Sequence, residues 1–247
     1  MSSIRQQFLD GLRAGIPIAL GYLGVSFSFG ILGTGARLAW WETLLISLTN
    51  LTSAGQFAGL QIMIGGGALL EMALGQLVIN SRYSLMGIAL SQKTDSRFRG
   101  VFRWLFGFGI TDEIFAVAAA RAEPLRRSFF AGLMFLPYCG WGGGTLLGAV
   151  CGKILPDVIT EALGVALYGM FIALFVPAMR IEKRMAAAVL MAVGISCFLA
   201  YSPAKEYVSG GFAVIICTVV ASAVGALFFP LPEDGNPENP ETEGGRA

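Results

Sequence analysis

An all-α polytopic membrane fold is predicted by three observations. Apolar segments of about twenty residues, the length of helix that crosses a ~30 Å hydrocarbon core, recur from Gly15 to Pro230. Of the 247 residues, 55% are hydrophobic and only 13% are charged, and the mean hydropathy is +0.69. A soluble domain of this size needs a charged surface that such a composition does not supply. The charges that do occur sit largely in short loops and are mostly Lys and Arg, as in the cytoplasmic loops of membrane proteins.

Residues 1–15 carry Arg5 and Arg13 among Phe8, Leu9 and Leu12, and read as a short amphipathic stretch on the cytoplasmic face. The apolar run that follows reaches Ala36. It is longer than a signal-peptide core and no A-x-A site follows it, so a retained first span is expected. In order, the apolar segments are Ile16–Ala36, Thr43–Ile64, Ala68–Leu90, Val101–Ala120, Phe129–Cys151, Glu161–Met179, Met185–Tyr201 and Gly210–Phe229. Trp40 and Trp41 read as interface anchors after the first span. Residues 16–229 thus form one membrane domain. Residues 230–247, rich in Pro, Gly, Asn and Glu, have nothing to bury and are expected to be a disordered acidic tail.

Eight simple crossings conflict with the charges. Arg5/Arg13, Lys93/Arg97/Arg99/Arg103, Arg121/Arg126/Arg127 and Arg180/Lys183/Arg184 should all face the cytoplasm. That requires one of the two segments between Thr43 and Leu90 not to cross, and Val101–Ala120 to return to the side it left; we take Thr43–Ile64 as the one that does not cross. These two segments are also the most polar. The first holds Ser47, Thr49, Asn50, Thr52, Ser53 and Gln56 with Gly55 and Gly59 as breakers; the second holds Thr111, Asp112 and Glu113 behind Gly107 and Gly109. Non-helical backbone is tolerated at membrane depth only where protein or a watery cavity satisfies it. We therefore expect two broken or re-entrant segments and about six full transmembrane helices, with both termini in the cytoplasm of a bacterial inner or plasma membrane. Seven or eight ordinary spans are the rival reading. Gly-rich segments near Pro17 and Pro137 open both halves and suggest an internal repeat, although small residues also suit close helix packing.

Several function classes are excluded or weakened. The absence of histidine removes the usual pH switch and the commonest metal ligand. Any proton-coupled step then falls to a carboxylate. Cys139, Cys151, Cys197 and Cys217 show no CxxC spacing and read as small buried hydrophobes rather than disulfides or metal ligands. No metal and no cofactor are expected. No Walker A sequence is present, which excludes an ATPase.

Ionisable residues inside a membrane suggest function by default, and three places qualify. Glu71 and Arg82 share nearly one face of a helix but stand about 16 Å apart by rise alone; Gln76, Asn80, Tyr83 and Ser84 lie beside Arg82. Asp112 and Glu113 are adjacent and point about 100° apart on a helix, so one can line a cavity while the other pairs with an Arg or a half-helix N-terminus. With Glu71 they are the candidates for proton coupling. Thr49, Thr52, Ser53 and Gln56 follow i, i+3, i+4, i+7 spacing with Asn50 beside them, a polar face near an expected break at Gly55. Thr49, Asn50, Ser53, Gln56, Asn80, Arg82 and Tyr83 are the candidate binding residues for a solute. Snorkelling of Glu71 and Arg82, and plain interhelical hydrogen bonding by the polar stripe, are the competing explanations.

The stretch TSAGQFAG (Thr52–Gly59) resembles the AGSAQFA-like stretch of the AzlC family of branched-chain amino-acid exporters. NSRYSLM (Asn80–Met86) and FGITDEIFA (Phe108–Ala116) resemble two further family stretches in the same order, and the likeness extends from about Phe8 to Phe229. Where the family usually carries Ser or Ala before the glutamine, this chain has Gly55. The resemblance implies a multi-span permease subunit that exports branched-chain amino acids with a small membrane partner of the AzlD type. It assigns no roles to individual residues.

Three classes of function compete. The leading one is a secondary transporter moving small aliphatic amino acids outward, coupled to protons. A channel or scaffold subunit has no need of a costly carboxylate pair beside broken helices. An intramembrane enzyme would have to use Asp112 and Glu113, whose adjacency is poor geometry for flanking one bond, and the sequence shows neither a Ser/His pair nor a zinc-ligand set. No enzyme is expected.

Overall fold

The computed structural model describes residues 3–95, 98, 100–152, 172, 176, 179–180, 183–203 and 207–228. These form nine helices and no strand: α1 (Ile4–Gly35), α2 (Trp40–Thr49), α3 (Ser53–Ile64), α4 (Leu69–Lys93), α5 (Val101–Phe108), α6 (Asp112–Ala119), α7 (Arg127–Cys151), α8 (Lys183–Tyr201) and α9 (Gly210–Phe228). By length and composition α1, α7 and α9 suffice to cross a membrane. The chain is all-α, as its composition predicts. Most of the expected segment Glu161–Met179, the basic positions Arg97 and Arg99, and the tail 230–247 lie outside the described residues.

The axis of the molecule is the pair α1 and α7, which run parallel. Gly140, Gly144, Gly148 and Gly152, one per turn on α7, sit against Ala19, Leu23, Phe27 and Ile31 of α1, and a Cβ at any of them would press on those residues. At the other end the relation is reciprocal. Gly11 abuts the backbone of Phe129 and Leu133, and Gly132 abuts Phe8 and Leu12 in the same way. That exchange is what a two-fold relation between the starts of the two halves produces locally, and small residues are what allow two backbones to approach so closely in lipid.

The residues expected as an amphipathic lead-in are the first turns of α1 itself, capped by Ser3, whose Oγ accepts from the Gln6 amide at 3.1 Å. The starts of α1 and α7 are joined by Ser128, which donates to Gln7 Oε1 at 2.6 Å. The end of α4 arrives at the same place: the Leu125 amide donates to the Lys93 carbonyl at 2.8 Å. Lys93 Nζ donates to the carbonyls of Ala119 and Arg121. Arg5, Arg13, Lys93, Arg121, Arg126 and Arg127 therefore gather at one end of the bundle, here termed the basic end.

Thr43–Ile64 and Val101–Ala120 are broken, and each turns back. α2 starts beside the far end of α1, where a Cβ on Gly33 would strike Thr43. It descends until its Leu48 carbonyl accepts from Tyr138 Oη at 3.1 Å, halfway along α7. After Asn50, Leu51 and Thr52, α3 climbs back along α4, with Gly55 and Gly59 against Gln76 and then Met72. Gly66, at φ +66°, closes the turn into α4. The mirror-image course belongs to α5 and α6. α5 rises from the basic end along Phe130, its Phe108 ring reaches Tyr138 with centroids 6.2 Å apart, and α6 returns to Lys93. Half-helices of eight to twelve residues span about half a bilayer core. Two hairpins thus enter from opposite ends, and their breaks meet at the level of Tyr138.

Two expectations change. The first break falls at residues 50–52, before Gly55, which lies inside α3; Thr52 ends the non-helical stretch by accepting the Gly55 amide on its side chain at 3.2 Å. Thr49 and Ser53 consequently sit on different helices, and the four-residue polar face does not exist. Cys139 and Cys197 are exposed rather than buried, because hydrocarbon outside the bundle suits a thiol as well as the interior does.

Candidate functional site

The breaks leave a cavity of about 570 Å³ between them. α1 forms one wall through Pro17, Ile18, Gly21, Tyr22, Gly24, Val25 and Ser28; Leu51 and Ser53 come from the first break, Thr111, Asp112 and Glu113 from the second, Tyr83 from α4 and Trp141 from α7. The lining is mostly apolar, with the polar groups concentrated at the two breaks. That combination suits a small solute with an apolar body and a charged head.

At each break a threonine starts the returning half-helix. Thr52 Oγ1 caps α3, and Thr111 Oγ1 accepts the Ile114 amide at 3.4 Å to cap α6. The N-termini of both half-helices therefore border the cavity, and their first-turn amides carry the positive end of the helix dipole.

The charged groups come from the second break. Asp112 Oδ2 pairs with Arg82 Nη1 at 2.8 Å. Arg82 Nη2 donates to Tyr83 Oη at 3.0 Å, and the guanidinium carbon lies 4.8 Å from the centre of the Tyr83 ring. Glu113 Oε2 accepts from Tyr22 Oη at 2.5 Å, and Tyr22 also reaches Thr111 Oγ1 at 2.6 Å. Tyr22 packs edge-on against Trp141, ring centroids 5.2 Å apart. The two adjacent carboxylates thus have different partners on different helices, as their angular separation requires. Tyr83 also borders a second, larger space of about 1190 Å³ between α4 and α5 towards the basic end.

The remaining candidates are distributed around this centre. Gln56 is 1% exposed and lies behind α3, where its Oε1 accepts from Ser47 at 3.3 Å; Ser47 in turn is 2.7 Å from Thr145. Gln76 Nε2 donates to the Gly55 carbonyl at 2.7 Å, and Asn80 Nδ2 donates to Gln76 Oε1 at 3.1 Å. These amides tie the first hairpin to α4 and α7 without lining the cavity. Thr49 is exposed and bonds back to the Leu45 carbonyl of its own helix at 2.7 Å. Asn50 ends α2, its amide bonded to Ile46 O at 2.9 Å.

Glu71, 4% exposed, lies at the end opposite the basic one, three turns from Arg82. It accepts from Ser209 and, at 2.9 Å, from the Gly211 amide, and so holds the start of α9. Tyr22 and Trp141 are the aromatic lining residues that sequence reasoning passed over. An aromatic residue in an apolar span carries no distinguishing signal, although a tyrosine hydroxyl at that depth does need a partner. Among the described residues, no three His, Cys, Asp or Glu side chains come together as a metal site.

The chain is similar to several membrane proteins. One is an uncharacterized membrane protein of Archaeoglobus fulgidus, 33% identical over 172 residues, covering 69% of this chain and 75% of the relative. A second is the inner membrane protein YgaZ of Escherichia coli K12, 24% identical over 234 residues, 92% of this chain and 94% of YgaZ. A third is an uncharacterized membrane protein of Helicobacter pylori strain 26695, 24% identical over 181 residues, 71% and 77% of the two chains. No solved structure matches significantly. The AzlC protein family model matches residues 17–155, a stretch that contains most of α1, both hairpins, α4 and α7, and the chain is a membrane protein belonging to the AzlC family.

Proposed function

We propose that the chain is the large subunit of a secondary transporter that exports branched-chain or other small aliphatic amino acids. In this reading it is driven by protons and works with a small AzlD-type membrane subunit. Membership of a family associated with amino-acid transport supports the general class. The basic end faces the cytoplasm, following the bias of Lys and Arg in short loops, and the protein resides in the cell membrane with both termini inside.

The observation that carries this reading is the cavity between two opposed helix breaks, apolar over most of its wall and polar at both breaks. The α-carboxylate of the solute meets the first-turn amides of α3 beside Ser53. The α-ammonium meets Glu113, with Asp112 held nearby by Arg82. The aliphatic side chain lies against Ile18, Val25, Leu51 and Trp141. Glu113 carries the proton, because its partner is the neutral Tyr22 hydroxyl while Asp112 is paired with the Arg82 cation. Gln56, Gln76 and Asn80 brace the first hairpin, and Glu71 anchors α9; Thr49 and Asn50 make no contact with the solute.

Counterflow in proteoliposomes tests the proposal. Vesicles preloaded with unlabelled leucine or valine should accumulate the labelled amino acid when this chain and a small AzlD-type subunit are both present. No exchange of any aliphatic amino acid under those conditions would remove the proposal.

A further inference from the structure

α1 carries two kinds of glycine, and the difference bears on what the cavity accepts. Gly11, Gly15 and Gly30 are pressed against α7, so that a Cβ there has no room. Gly21 and Gly24 lie on the opposite side of the helix and line the cavity, and no atom of the described residues comes within 4 Å of an added Cβ. Among the described glycines with open space around them, these two alone line the central cavity. Neither is required by backbone conformation, since both sit inside a regular helix. Helix stability disfavours them there, because glycine in a helix interior costs about 0.5–1 kcal/mol relative to alanine. Both are exposed and touch no side chain or backbone of the described residues, so their missing side chains leave open volume on the cavity wall.

We propose that the missing side chains at Gly21 and Gly24 set the largest amino-acid side chain the cavity admits. The inference rests on the cavity being the transport site and adds its size limit. One face of the solute's aliphatic side chain lies where side chains at positions 21 and 24 would otherwise project. Bare backbone at these positions admits a branched four-carbon side chain. A methyl at either one removes space from the solute and none from the protein.

The test is counterflow of alanine, valine and leucine by the full chain with its small partner subunit, comparing wild type with Gly21→Ala, Gly24→Ala and Gly24→Val. One methylene in an apolar pocket discriminates by about tenfold or more. Gly24→Ala should therefore lower leucine exchange relative to alanine by about that factor, Gly24→Val should extend the loss to valine, and Gly21→Ala should act in the same direction. Thermal midpoints in detergent should be unchanged or raised, as expected when a helical glycine becomes alanine without a clash. Wild-type exchange with an unaltered ranking in the variants, or with all three substrates reduced equally, overturns the size limit and leaves the transport reading standing. Absence of exchange by wild type overturns both.

Discussion

The two re-entrant hairpins have one architecture and opposite chemistry. Each is a pair of short helices, each turns at the level of Tyr138, and each returning helix is started by a threonine that accepts an amide three residues on. The α2–α3 hairpin has no charge near its tip. Its polar groups are hydroxyls and amides, and Ser47, Gln56 and Gln76 are spent on holding it to α7 and α4. The α5–α6 hairpin has no such amide network. It places Asp112 and Glu113 at its tip, and both are held by partners from other helices. Electrostatic interaction strengthens as water is excluded, so one charged tip facing one neutral tip gives the cavity a polarity. A pair of charged tips would repel, and a pair of neutral tips would leave nothing to tell a zwitterion from an alkane.

The contrast predicts a graded series. The largest effect should follow neutralisation at the charged tip. Asp112→Asn leaves Arg82 without its counterion and should reduce exchange at least tenfold, equivalent to about 1.4 kcal/mol. Arg82→Gln should do the same, and the double variant should be no worse than either single one, since contacting residues couple by roughly 0.5–3 kcal/mol. Strict additivity in initial rates would show that the pair does not act as a unit. Glu113→Gln comes next and should separate two activities: counterflow persists at a reduced rate, while accumulation driven by an imposed pH gradient disappears. Retention of gradient-driven uptake would assign the proton elsewhere.

At the neutral tip the effects should be smaller and should appear as stability. Thr52→Ala removes the α3 cap and should cost about 1 kcal/mol, read as a lower thermal midpoint with a modest rise in KM. Gln56→Leu should do least. Among the described residues its Nε2 is buried without a partner, so the apolar replacement removes an unsatisfied donor as well as one long hydrogen bond. A thermal midpoint within a few degrees of wild type is expected, and a collapse of exchange would give Gln56 a direct role at the solute.

The sequence made some of this legible and concealed the rest for physical reasons. The breaks in Thr43–Ile64 and Val101–Ala120 were readable because polar residues at membrane depth need an environment that a straight lipid-facing helix lacks. The counting of basic loops, which asked both segments to turn back, agrees with Lys93, Arg121 and Arg127 collecting beside the start of α1. The position of the first break was not readable. Glycine is by its backbone freedom the natural breaker, yet Thr52 with its side-chain cap fixes the start of α3 and leaves Gly55 helical. Once the break moved by a few residues, helical spacing between Thr49 and Gln56 lost its meaning. The Arg82–Asp112 pair joins residues thirty positions apart on different helices, and no periodicity links them. Tyr22 and Trp141 are hidden for another reason: aromatic residues are ordinary in any apolar span, and only the packing of α1 on α7 brings these two to the cavity.

The glycine seam between α1 and α7 has a mechanical consequence. Two backbones in van der Waals contact over most of their length cannot rotate or slide past each other without opening voids that lipid is too bulky to fill. The seam is the keel of the bundle. On the proposed transport function, exposing the centre first to one side of the bilayer and then to the other falls to the parts hung on it. The short half-helices, held by individual hydrogen bonds and an ion pair rather than by a glycine seam, are the parts best suited to move.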